Sequence, residues 1–147
     1  MRATGNKRER GAYFTPTWLA QSLANWSIRK PQDVVVDPSA GRGDLLVAAA
    51  ERLATVGGRA AGQVFGVELH RGTARALRMR LAPYAPAGQF LHGDFFSVAA
   101  ELPKCDVVLA NPPYVRHQMI PRRSAAAMRA ALNGNAQLVE GRASAWA

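Results

Sequence analysis

The tetrapeptide Asn111-Pro112-Pro113-Tyr114 directly follows an apolar run. Its polar groups and its aromatic ring suit the binding of a planar amine. The two prolines have no N–H group and stiffen the turn, which holds the backbone carbonyls outward. The side-chain carbonyl of Asn111 and the backbone carbonyl of Pro112 can both accept hydrogen bonds from one –NH2 group. The ring of Tyr114 offers a flat surface for stacking. We therefore take these four residues as candidate catalytic residues.

A glycine-containing loop follows the first β-branched run of the chain. It begins with Asp37-Pro38 and contains Gly41 and Gly43, whose missing side chains let the backbone approach a ligand closely. The dinucleotide fingerprint requires a third glycine three positions after Gly43, where this chain has Leu46. This difference disfavours a nicotinamide enzyme. The loop is a candidate site for another cofactor.

Two carboxylates stand at the ends of later apolar runs. Glu68 can accept hydrogen bonds from both hydroxyls of a ribose, and its distance from the glycine loop fits a βαβ unit that binds a nucleoside. Asp94 can accept from an exocyclic amine while the neighbouring Phe95 packs on a purine face. Taken singly, each has a plainer interpretation as a surface, turn or core residue. Their spacing after the glycine loop favours nucleoside binding.

The pattern along the chain predicts how these residues are positioned. Short apolar runs alternate with helical segments or loops, which is typical of a Rossmann-like, doubly wound α/β fold with about four parallel strands. The polar residues at the four strand ends then meet at one edge, where such sheets bind ligands. Thr15 and Asp44 are predicted to cap the first two helices, with Pro16 at the first helical position. Predicted strands cover 34–36, 64–68, 89–92 and 106–110, and predicted helices cover 16–28, 45–54 and 72–82.

The chain divides into three predicted regions. Residues 1–11 form a basic flexible arm, and residues 12–120 form the cofactor-binding and catalytic core. Residues 121–147 form an Ala- and Arg-rich tail, which we interpret as a truncated continuation of the core.

Composition narrows the class of protein without naming a partner. The net charge is +9 and the isoelectric point about 11.0, which favours polyanions such as a phosphate backbone. A genome biased toward arginine gives the same excess of positive charge, and the charge alone does not separate the two explanations. The single cysteine, Cys105, excludes a disulfide framework and a Cys-rich zinc site within the chain. No signal peptide or membrane-spanning apolar run is visible, so we expect a cytoplasmic location.

Five segments, in their order, resemble motifs of the adenine-N6 DNA methyltransferases, the N-6 DNA methylase family of type I and fused type II restriction-modification enzymes. The tetrapeptide at 111–114 resembles the catalytic motif, and DPSAGRGDLL at 37–46 resembles the S-adenosylmethionine loop. GVEL at 66–69 and GDFF at 93–96 fall where the family has its ribose-binding and adenine-binding acids. GAYFTP at 11–16 resembles the N-terminal cofactor motif.

The resemblance implies transfer of a methyl group from S-adenosylmethionine to N6 of an adenine that is flipped out of double-stranded DNA. Asn111 and Pro112 would accept hydrogen bonds from N6, and Tyr114 would stack on the base. Thr15 would hold the methionine end of the cofactor and Glu68 its ribose. No metal is implied. The implied cofactor-binding residues are Tyr13, Thr15, Pro16, Asp37, Pro38, Gly41, Gly43, Glu68, Asp94 and Phe95.

The sequence also departs from the family pattern. The family fold has seven strands, of which four are predicted here, and no target-recognition domain is visible. We expect a truncated form that relies on a specificity subunit or a missing C-terminal recognition domain, and that shows no sequence-specific methylation by itself. Two alternatives stay open. One is methylation of a protein glutamine or an RNA adenine, against which the segment at 13–16 argues. The other is an inactive cofactor- or DNA-binding fragment.

Overall fold

The computed structural model of the chain describes residues 14–112 and the single positions 126 and 130. Phe14–Asn111 form one unit, and Pro112 falls in another. The predicted arm at 1–11 lies outside the described residues, as do Tyr13, Pro113 and Tyr114. Of the predicted tail, only positions 126 and 130 are described, and both are helical.

Within residues 14–112, four parallel strands form a sheet in the order β3-β2-β1-β4. β1 (Val35–Asp37) pairs with β2 (Val64–Glu68) on one side and with β4 (Val107–Val108) on the other. β3 (Phe90–His92) pairs with the far side of β2. All three residues of β1 are buried, as expected of an inner parallel strand that is covered on both faces. The prediction of a parallel α/β sheet with four strands is confirmed.

The helices connect these strands. α1 (Thr17–Ser27) precedes the sheet, α2 (Asp44–Thr55) joins β1 to β2, and α3 (Arg71–Leu81) joins β2 to β3. A short helix, α4 (Phe95–Val98), follows β3 and was not predicted. Within the part of the chain that the structure describes, no helix is long and apolar enough to cross a membrane.

The face of α1 that packs on α2 consists of small residues. Ala20 and Ala24 are buried, and so is Ile28, which follows the last helical residue. The larger Trp18 and Trp26 are 69% and 76% exposed. Small side chains let the two helices approach closely, so the core between them is built mainly from alanine on this side.

The start of α1 differs from the prediction. The helix begins at Thr17, and Pro16 occupies the capping position with an extended ψ of 141°. The carbonyl of Pro16 accepts the backbone N–H groups of Leu19 and Ala20, both at 3.0 Å. The predicted cap, Thr15, therefore lies one residue too early, and the prediction that Pro16 is the first helical residue is wrong.

The start of α2 differs as well. Its capping residue is Gly43, at a φ of 85°, and Asp44 is the first residue inside the helix. This left-handed conformation suits glycine, which has no Cβ to clash with the following carbonyl. The prediction that Asp44 caps the helix is wrong. Its carboxylate forms an ion pair with Arg80 of α3 instead.

Gly66, in the middle of β2, lets α2 lie close to the sheet. A Cβ atom at this position would be 2.5 Å from the Cδ1 atom of Leu46 and 3.1 Å from the Cβ atom of Ala40. Leu46 is completely buried. A larger residue at position 66 would force the side chain of Leu46 to move out of this contact.

Candidate functional site

The candidate site lies at the carboxyl edge of the sheet. Asp37 is opposite Gly66 in the register of β1 and β2, and Glu68 is opposite His92 in that of β2 and β3. On the other side of β1, the N–H group of Leu109 donates to the carbonyl of Val36 at 3.0 Å. Parallel strands end at the same edge. The structure therefore brings the four predicted strand ends together, at Asp37, Glu68, Asp94 and Asn111.

The two glycines of the loop after β1 have different surroundings. A Cβ atom on Gly43 would lie 2.7 Å from both Leu77 Cδ1 and Leu81 Cδ2 of α3. A Cβ atom on Gly41 would meet only the carbonyl oxygen of Ser39, at 3.9 Å. Gly43 is therefore required for packing against α3. Gly41, at a φ of 55°, has an open side on which its backbone is not covered by other side chains.

Glu68 braces this loop. Its side chain is buried, and its Oε2 atom accepts the backbone N–H of Gly41 at 3.0 Å. Its Oε1 atom accepts the backbone N–H of His70 at 2.7 Å. A carboxylate offers about four lone-pair positions, so two acceptor positions are left for the hydroxyl groups of a ribose. The carboxylate fits a nucleoside cofactor while it holds the loop in place.

Asp37 is the most deeply buried acid of the site, at 2% exposure. Its Oδ1 atom accepts hydrogen bonds from the Ser39 backbone N–H at 2.9 Å and from the Ser39 hydroxyl at 3.5 Å. Burial raises the pKa of Asp37 to about 7, against the lowering effect of these two hydrogen bonds, and the nearby charge of Glu68 raises it further. The end of β1 thus carries a carboxyl group that gains and loses its proton near neutral pH.

The segment after β3 is organised by Asp94. Its Oδ1 atom accepts the backbone N–H of Phe96 at 3.1 Å and so caps α4. The preceding Gly93 donates its N–H to the carbonyl of Glu68 at 3.0 Å, which ties this turn to the end of β2. The ring of Phe95 is partly buried and meets the ring of Phe96 edge to face, with centroids 5.4 Å apart. Because Oδ1 of Asp94 is engaged in this turn, Oδ2 is the oxygen left to accept a hydrogen bond, for example from an exocyclic amine.

Asn111 and Thr15 meet at the same edge, although 96 positions separate them in the chain. The Nδ2 atom of Asn111 donates to the Oγ1 atom of Thr15 at 3.3 Å. Thr15 is buried, at 9% exposure, whereas the preceding Phe14 and the following Pro16 are exposed. The predicted cofactor residue Thr15 and the predicted catalytic residue Asn111 are therefore in direct contact.

Arg80 was not singled out from the sequence but contacts the loop. Its Nη1 atom donates to the carbonyl of Arg42 at 3.3 Å and also pairs with Asp44. Arg42 in turn places its guanidinium carbon 5.8 Å from the centroid of the Phe14 ring. Nothing in the spacing of the arginines of α3 distinguishes Arg80 from its neighbours, because the contact depends on how α3 lies against the loop.

The remaining predicted residues take less part in these contacts. Pro38 is half-buried in the loop after Asp37, and Pro112 is half-buried in its own unit. Tyr13, Pro113 and Tyr114 lie outside the described residues. Within residues 14–112, no group of three or more His, Cys, Asp or Glu side chains is arranged to hold a metal ion.

Comparison with known families gives one match. The family model described as N-6 DNA Methylase matches residues 1–137, which is most of the 147-residue chain. None of the curated proteins matches the chain.

Solved structures share the fold. The M protein of the type I restriction enzyme EcoKI has a TM-score of 0.59 at 24% identity, over 71% of this chain and 26% of the M protein. The type IIG restriction endonuclease BpuSI has a TM-score of 0.67 at 21% identity, over 95% of this chain and 18% of BpuSI. A putative class I S-adenosylmethionine-dependent methyltransferase from Listeria monocytogenes has a TM-score of 0.59 at 16% identity, over 78% of this chain and 35% of that protein.

The sheet order and these likenesses identify the fold as that of the class I S-adenosylmethionine-dependent methyltransferases. The chain spans only 26% of the length of the EcoKI M protein.

Proposed function

Because the chain belongs to the N-6 DNA methylase family, we propose that it carries the cofactor-binding and amine-binding part of an S-adenosylmethionine-dependent adenine-N6 DNA methyltransferase. The position of Asn111 carries this proposal. It follows β4, which pairs with β1, so its carboxamide lies at the sheet edge that also holds the glycine loop and the Glu68 carboxylate. An amine acceptor and a nucleoside site thus share one edge.

The residues at this edge fit the cofactor. The open side of Gly41 admits it to the backbone, Glu68 has acceptor positions left for the ribose, and Asp94 has Oδ2 for the adenine amine. Phe95 offers its ring to the adenine face. When bound, S-adenosylmethionine supplies a methyl group already activated by its sulfonium.

The chain's own task is to position and polarise the target amine. The Nδ2 atom of Asn111 is engaged by Thr15, which directs the opposite end of the amide, Oδ1, toward an amine donor. A hydrogen bond from N6 to Oδ1 localises the nitrogen lone pair and orients it toward the methyl carbon. Pro112, Pro113 and Tyr114 complete this amine site in the proposal, the first through its carbonyl and the last through stacking.

The proposed partners are double-stranded DNA and a specificity subunit or recognition domain. The net charge of +9 suits a phosphate backbone. The M protein of EcoKI, which shares the fold, is part of a type I restriction enzyme. Since this chain matches only 26% of that protein, we propose that selection of the DNA sequence depends on parts outside the matched region.

Cofactor binding is the first test. Calorimetry with S-adenosylmethionine and the 147-residue chain should show one site. The double variant Gly41→Val/Glu68→Ala should abolish binding, because it fills the open side of the loop and removes the ribose acceptor. A control variant at an exposed acid, Glu101→Gln, should bind normally. Absence of binding to the native chain would leave the inactive-fragment alternative.

Methyl transfer is the second test. Tritium transfer from S-adenosylmethionine should be measured onto single-stranded DNA containing adenine, where neither base flipping nor sequence recognition is needed. Matched RNA and a glutamine-containing peptide serve as competing acceptors. Asn111→Ala should lower transfer to DNA by at least about a hundredfold, the usual effect of removing one transition-state hydrogen-bonding group. Asn25→Ala, at an exposed position of α1, should not. A preference for RNA or peptide over DNA would overturn the DNA assignment.

A further inference from the structure

The contact between Thr15 and Asn111 engages the Nδ2 end of the Asn111 carboxamide. Thr15 Oγ1 accepts from Nδ2 at 3.3 Å, and among residues 14–112 this is the hydrogen bond that the Asn111 side chain makes. An amide has a donor end and an acceptor end. Rotation by half a turn would place Nδ2 where a target amine needs an acceptor. Whatever fixes the Nδ2 end therefore decides whether Asn111 can accept from an amine.

Thr15 is well placed to fix that end because it directly precedes the residue that caps α1. It is buried and followed by Pro16, whose carbonyl accepts the N–H groups of Leu19 and Ala20 in α1. α1 in turn packs on α2 through Ala20 and Ala24. A site residue that adjoins such a packed helix keeps its geometry better than one in a free loop.

We propose that Thr15 is a positioning residue that orients the carboxamide of Asn111 with its oxygen toward the target amine. The proposal rests on the function proposed for Asn111 above. The positioning proposal extends that function, because the hydroxyl of Thr15 would orient Asn111 as well as bind the cofactor. A hydroxyl has one donor and two acceptor positions. A hydroxyl can pair with either end of an amide, so Thr15 selects the orientation when its O–H group donates to the carboxylate at the methionine end of the cofactor. Oγ1 is then left to accept from Asn111 Nδ2.

The orientation can be measured without turnover. In the full chain labelled with 15N at asparagine side chains, the Asn111 –NH2 signals are identified by their loss in Asn111→Ala. Thr15→Val removes the hydroxyl at nearly constant volume, and Thr15→Ser keeps it. Thr17→Val makes the same chemical change two residues away, at an exposed position. We expect solvent exchange of the Asn111 –NH2 protons to be about tenfold faster in Thr15→Val, the effect of one lost hydrogen bond. Thr15→Ser and Thr17→Val should match the native chain.

Unchanged Asn111 signals and exchange in Thr15→Val would overturn the proposal. So would Thr15→Ser signals that move as far as those of the valine variant, because serine keeps the acceptor. If the valine variant does not fold, Thr15→Ala takes its place, and unchanged Asn111 signals and exchange in Thr15→Ala overturn the proposal.

A kinetic test separates positioning from cofactor binding. At saturating S-adenosylmethionine, Thr15→Val should still lower kcat for transfer to single-stranded DNA by about tenfold, and Thr15→Ser should restore it. A defect that disappears at saturating cofactor would show that Thr15 acts on the cofactor alone, and would overturn the proposal. If the native chain transfers no methyl group to any acceptor, the proposed function fails, and the Asn111 signals still decide whether Thr15 orients the amide.

Discussion

The carboxylate of Glu68 accepts the backbone N–H of Gly41 at 3.0 Å, and so joins the end of β2 to the loop after β1. The same side chain is the proposed ribose acceptor. In this proposal, one residue both shapes the glycine loop and contacts the cofactor. The two roles differ in what they predict for a variant at this position.

Glu68→Gln should weaken both the fold and cofactor binding. The amide keeps one acceptor oxygen but turns an –NH2 group toward a backbone N–H, of Gly41 or of His70. Leaving a buried donor without its acceptor costs about 1–3 kcal/mol, and we expect at least about a tenfold loss of S-adenosylmethionine affinity from the lost ribose contact. Urea denaturation and calorimetry measure the two effects. If the variant is less stable but its folded form binds S-adenosylmethionine with native affinity, Glu68 braces the loop without binding the ribose.

Gly43→Ala should destabilise the fold through packing as well as backbone strain. Its Cβ would lie 2.7 Å from side-chain atoms of Leu77 and Leu81, at a φ of 85°. Gly62 is a matched control, because its φ is 81° and a Cβ there would meet nothing within 4 Å. We expect Gly62→Ala to cost about 1–2 kcal/mol of unfolding free energy from strain, and Gly43→Ala about 1–3 kcal/mol more from overpacking. Equal losses in urea denaturation would contradict the packing role of Gly43.

The fold and much of the site could be predicted because they depend on local patterns. The β-branched run at Val35 and the glycine loop after it locate an inner strand and the edge of the sheet at which it ends, and the structure places both as expected. Helix bounds were predicted to within a residue or two. Prediction from local patterns was wrong where two neighbouring residues could each cap the same helix. Pro16 and Gly43 hold the capping positions that were assigned to Thr15 and Asp44.

Contacts between distant segments could not be predicted. The hydrogen bond from Asn111 to Thr15 and the contact of Arg80 with the loop depend on how α1 and α3 lie against the sheet edge. The exposed Trp18 and Trp26 make the same point for α1. The sequence does not tell which face of α1 is buried, and in the structure that face carries Ala20 and Ala24.

Stability should fall as pH rises through the range in which Asp37 ionises. Its pKa is about 7 in the folded chain and 3.8 for an unburied carboxyl. Between these values the folded state binds the extra proton, so the contribution of this group is fully present below pH 3.8 and is lost by pH 7 and above. The full shift corresponds to at most about 4 kcal/mol. Asp37→Asn, which keeps the acceptor for Ser39, should remove this dependence.

The measurement is the difference in unfolding free energy between Asp37→Asn and the native chain, taken by urea denaturation from pH 4 to pH 8.5. The difference cancels the contributions of the other acids. We expect the asparagine variant to gain stability relative to the native chain as pH rises. A difference that is constant with pH would mean that Asp37 has the same pKa in the folded and unfolded chains.

Arg80→Met should loosen the cofactor loop with little effect on overall stability. Arg80 donates to the carbonyl of Arg42 at 3.3 Å and pairs with Asp44, and its side chain is 43% exposed. Exposed ion pairs contribute less than about 1 kcal/mol, so the free energy of unfolding should change little. The loop carbonyl loses its anchor, and we expect S-adenosylmethionine affinity to fall about threefold to fivefold, within the effect of one hydrogen bond. Arg75→Met, at an exposed position of the same helix, should bind normally and controls for lost charge.

Asp44→Asn should give part of the loss of affinity. The double variant Arg80→Met/Asp44→Asn should lose less than the sum of the two single losses, because both residues act through one contact. Additive losses, or an equal loss in Arg75→Met, would show that α3 acts through its charge and not through this anchor.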